Sequence, residues 1–74
     1  ARAKIEHAIA VVDNFEACAQ EYIEVFGALC EALGGDTTKA EEERSTLANI
    51  VGECNKGIES MKQTYESLGF GKFE

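Results

Sequence analysis

The feature that most constrains this chain is the run from Ile5 to Leu33, where apolar residues return at steps of three and four without a break. The seam Ile5, Ala8, Val12, Phe15, Ala19, Tyr22, Phe26, Leu29, Leu33 has the heptad spacing of an α-helix wound against a partner helix. A first helix is therefore expected over about 2–33. It should stop where Gly34 and Gly35 supply the positive φ that a helix end favours, leaving a turn at 34–37.

A second helix is expected over about 38–68. Thr38 and Glu41 have capping-box spacing, and Glu41, Glu42 and Glu43 occupy a first turn whose dipole favours anions. Its seam is Ala40, Leu47, Val51, Cys54, Ile58, Met61, Tyr65, Leu68, with Arg44 in the one polar slot. Gly69 stands just past the expected end, Phe70 is placed to fold back on Tyr65, and residues 69–74 are expected to fray.

In an antiparallel hairpin the numbers of facing residues have a constant sum. Leu33 with Ala40, Phe26 with Leu47, Ala19 with Cys54, Val12 with Met61 and Ile5 with Leu68 all add to 73. The short turn also suits antiparallel neighbours. The reading is all-α: residues 1–74 form one antiparallel, coiled-coil-like two-helix hairpin that completes a four-helix bundle by association.

Composition enters mainly by exclusion. The chain has 74 residues, so it buries little surface on its own and association is a natural remedy. With 45% hydrophobic residues and no proline, disorder is not expected. A net charge of -7 makes phosphate backbones and anionic lipid poor partners, so nucleic acid is not expected. Asp13, Glu16, Glu21 and Glu24 interrupt the first helix too often for a membrane span. No signal peptide is read at Ala1 to Lys4.

Candidate chemistry is sparse. Cys18, Cys30 and Cys54 are odd in number and match neither a disulfide framework nor a metal pair, so they read as packing thiols in a reducing, intracellular setting. Cys18 and Cys54 sit at one level of the hairpin, but Cys54 lies in the seam and Cys18 on its flank. His7 falls on an outward position with no ligand constellation around it. Phe15, Tyr22 and Phe26 are at core spacing. Gly27, Gly52 and Gly57 read as exposed helix positions or as places where another helix comes close. No cofactor, metal or catalytic group is expected, and the chain is read as not an enzyme.

The two helices are unequal, and that difference carries the functional expectation. Flanking the first seam are Ile9, Val11, Cys18, Ile23, Val25 and Cys30, whereas the second helix offers only Ala48 and Ile50 at equivalent places. A helix apolar on so wide an arc is built to touch more than one neighbour. These six residues are the expected interface of a protein–protein assembly module, joining a second copy or a partner helical subunit. The alternatives are a helical subdomain of a larger enzyme or membrane-remodelling protein whose active surface lies elsewhere, and a bundle holding an apolar ligand. In outline the hairpin resembles the secreted hairpin family with Trp-x-Gly in its turn, and segments of BAR-type bundles. Its own turn is Leu33-Gly34-Gly35-Asp36 and it has no tryptophan, and the chain is short and acidic where BAR-type bundles are long and basic, so no family is assigned.

Overall fold

A computed structural model describes residues 1–73. Those residues form helix α1, Arg2–Leu33, helix α2, Thr38–Tyr65, and a closing π-helical turn, Glu66–Phe70, with no strand among them. The two helices fold back on each other as a slab of 57 × 16 × 13 Å.

The turn is set by backbone conformation. Gly34 at φ 145 and Gly35 at φ 90 lie in a region that side-chain-bearing residues rarely enter. From there the Gly35 amide donates to the Cys30 carbonyl at 3.0 Å and the Gly34 amide to the Glu31 carbonyl, satisfying two of the last four acceptors of α1. The start of α2 differs from the expected capping box. Thr37 is the N-cap and makes no side-chain cap bond; Asp36, just before it, holds the first turn instead, its Oδ1 accepting from the Thr38 amide at 3.1 Å and from the Thr38 hydroxyl at 2.7 Å. These two bonds hold the Asp36 carboxyl below its ordinary pKa, the hydroxyl having the larger effect.

The helix contact is thin. Its most buried members are Ile5 and Ile23 from α1 with Ala40, Val51 and Ile58 from α2. On α2 these are seam residues as expected, but on α1 the contact face is turned. Ile9, Val12, Ala19, Phe26 and Cys30 are half-buried, while Phe15, Tyr22 and Leu29 are exposed. The covered stripe therefore runs Ile5, Ile9, Val12, Ala19, Ile23, Phe26, Cys30, still at heptad spacing.

The register differs in step with this rotation. Leu33 and Leu68, expected in the two end layers, are 78% and 70% exposed. Burial fits facing numbers that add to 70 instead: Ile5 with Tyr65, Val12 with Ile58, Ala19 with Val51, Ile23 with Leu47, Cys30 with Ala40. Grooves along the contact agree, one bringing Ile5 beside Tyr65 and another Ala19 and Ile23 beside Leu47 and Val51. Side-chain shape supplies the reason. Close-packed helices lie about 8–10 Å apart; β-branched and small residues such as Ile23, Ile9 and Cys30 fill most of the contact, with the rings of Phe26 and Tyr65 toward its two ends.

Residues 69–73, expected to fray, fold back against the helix ends. With Gly69 at φ 92, Phe70 stacks on Tyr65 with centroids 5.0 Å apart, and Phe73 meets the edge of the same ring system at 5.6 Å. The Phe73 amide donates to Glu66, and the Arg2 guanidinium of α1 lies 4.3 Å from the Phe73 ring centre, a cation–π contact joining the two chain ends. Glu74, the last residue of the expected tail, lies outside the described residues.

Candidate functional site

Rotation of α1 leaves a second stripe uncovered. Residues Ala8, Val11, Phe15, Cys18, Tyr22, Val25 and Leu29 alternate steps of three and four, and all but half-buried Ala8 are exposed. At 100° per residue this stripe is centred roughly a third of a turn round the helix from the covered one. It therefore lies on a broad side of the slab and not on the edge away from α2.

Helix α2 shares that side. One groove is lined by Ala1, Lys4 and Ile5 of α1 and by Gly57, Met61, Thr64 and Leu68 beyond them. Stepping by seven from Lys4 reaches Val11, Cys18 and Val25, and from Ala1 reaches Ala8, Phe15, Tyr22 and Leu29, so the groove opens on the uncovered stripe. On α2 the same step relates Gly57 to Ile50 and Met61 to Leu68, and Ile50, Met61 and Leu68 are exposed. The opposite broad side carries another character: its groove is lined by Glu16, Gln20, Arg44 and Ala48 outside the contact residues. The side bearing the open stripe is the more apolar of the two, and the other adds Glu16, Gln20 and Arg44.

The six residues singled out from the sequence divide between these regions. Val11, Cys18 and Val25 are exposed on the apolar side. Ile23, only 4% exposed, is a buried member of the hairpin contact. Ile9 and Cys30, half-buried on the covered stripe, are poorly placed as an outer surface. Phe15, Tyr22 and Leu29, assigned to the hairpin seam by spacing, belong instead to the open face, where Tyr22 meets Phe26 edge to face at 6.0 Å. The signal that finds them is the second heptad register, which takes two of every seven positions beside the two of the covered stripe.

Other candidates remain apart. Cys18, Cys30 and Cys54 are free thiols. His7 is exposed, and the described residues hold no group of three His, Cys, Asp or Glu side chains placed for a metal ion. Arg44 is exposed beside Glu16 and Gln20 in the polar groove. No described helix is long and apolar enough to cross a membrane.

Fold and face together define a helical hairpin with one broad apolar side open to solvent. Comparison with protein-family models, curated proteins and solved structures found no match.

Proposed function

We propose that this chain is a non-catalytic assembly module that joins another helical surface through its open apolar side. The observation that carries this reading is the double stripe on α1. Helix α2 covers one stripe, while Val11, Phe15, Tyr22, Val25 and Leu29 stay exposed in a second stripe of equal regularity. Removing half-exposed side chains of this size from water is worth about 1 kcal/mol each, several kcal/mol in all, which is comparable with the whole stability of so small a domain. Contiguous exposed apolar surface of this kind marks an interaction site more often than chance exposure does. The face offers burial and shape, so its chemistry is that of docking.

Sedimentation of the chain, alone and as Val25→Glu and Tyr22→Lys variants, tests this. Association should fall sharply while helicity by circular dichroism persists, because a charge on an open stripe is costly only once the stripe is covered. Asn49→Asp, exposed on α2 away from the face, should change little. A chain that never self-associates and whose co-purifying proteins are recovered equally by Val25→Glu overturns the reading.

A further inference from the structure

We propose that the occupant of the open face is a second copy of this chain, stacked with its ends reversed so that α1 lies antiparallel on the other α1. This rests on the assembly reading above and specifies its partner and geometry. Three observations favour it. The first is area: a broad side of a slab 57 Å long and 16 Å wide matches the roughly 800 Å² that each partner of a standard stable interface buries. A two-fold axis presents the same patch from both copies, so a self-complementary face suffices.

The second is where the apolar surface lies. Helix α1 brings Val11, Phe15, Tyr22, Val25 and Leu29, whereas α2 brings Ile50 and Met61 among Ser60, Thr64 and Gly57. Two in-plane axes can stack such hairpins face to face. An axis along the helices sets α1 over the other copy's α2, spending the rich stripe on the poor one. An axis across them sets α1 on α1 and α2 on α2; neighbouring helices are antiparallel under either axis, and only this one lays the rich stripe on the rich stripe.

The third is charge. Residues 20–50, the turn half, hold two basic and seven acidic residues, a net of -5; the remainder hold five basic and seven acidic, a net of -2. Turn over turn sets -5 against -5, whereas reversed ends set -5 against -2. Reversal also brings Lys4, which lines the open groove, over the C-terminal end of the other α1, where the negative end of the helix dipole and Glu31 attract a cation. Cys18 lies midway along the stripe, close to the two-fold axis.

Inter-chain distance measurement by electron spin resonance decides the geometry. A spin label at Glu31→Cys is used, with Cys18, Cys30 and Cys54 replaced by Ala and helicity checked beforehand. At 1.5 Å rise per residue the reversed stack puts the two labels about 40 Å apart, while the turn-over-turn stack puts them within about 25 Å. A two-chain mass with the long distance, weakened at least a hundredfold in the dissociation constant by Phe15→Glu, is the expected result. A dimer with the short distance, a higher oligomer, or a monomer that binds a different protein through Val25 overturns the self-stack and leaves the assembly reading standing. A monomer with no partner at the face defeats both.

Discussion

The covered and open stripes of α1 share a helix, a spacing and a length, yet they take opposite fates. The covered one is built of β-branched and small residues, Ile5, Ile9, Val12, Ala19, Ile23 and Cys30, with Phe26 toward the turn. The open one carries Phe15, Tyr22 and Leu29 among its valines. Periodicity thus determines how many apolar stripes a helix has, and side-chain bulk determines which of them takes the nearest neighbour. A Tyr22 that is half exposed beside an Ile23 that is buried puts the boundary between adjacent residues.

The comparison breaks most sharply at that boundary. In dilute chain, where association does not contribute, Ile23→Ala should cost about 2–4 kcal/mol by thermal or urea unfolding, the range for deleting a buried aliphatic side chain. Val25→Ala, on a residue 67% exposed, should cost under about 0.5 kcal/mol under the same conditions. Equal losses would erase the distinction between the stripes.

A smaller effect of opposite sign sharpens it. Neither Gly52 nor Gly57 has a neighbour within 4 Å of where a Cβ would stand, so Ala at either position should raise hairpin stability by about 0.5–1 kcal/mol. Gly57 lines the open groove and Gly52 does not. A loss of association confined to Gly57→Ala would show that a partner helix uses that space; matched behaviour at the two sites would remove Gly57 from the interface.

The smallest effect lies at the turn, away from both stripes. Asp36 has its pKa lowered in the folded chain, so its contribution is present at neutral pH and lost as pH falls below the ordinary value of 3.8. Asp36→Asn should therefore be less stable than the parent at pH 7, with the gap closing under acid. A gap that widens there would contradict a role for the Asp36–Thr38 bonds.

Helix number, the glycine turn and the antiparallel sense were legible because each rests on local chemistry: unbroken periodicity, Gly34-Gly35, and a short connection. The register was not. Sums of 73 and 70 satisfy the spacing equally well, since a heptad helix with two stripes offers two seams that share Ile5, Val12, Ala19 and Phe26. Choosing between them needs the three-dimensional fit of rings against a helix at close range, which one-dimensional spacing does not contain. For the same reason spacing alone places Ile23 on the flank and Phe15 in the seam. The tail was obscured differently: Phe73 is ordered by Arg2, 71 residues away in sequence.

That last contact changes the chain's topology. One end of the hairpin is closed covalently at Gly34-Gly35, and the other is latched by Arg2 and Lys62 over Phe73, with Tyr65 beneath. Pairing that zips outward from the turn closes small loops first and reaches the latch last, when both ends have already been brought level. The latch then resists the fraying that an open hairpin suffers at its free ends. Amide exchange should accordingly be slow around Ile5 and Ile58, and removing the Phe73 ring should let an opening front run inward from Ala1 while leaving the amides near Ala40 untouched.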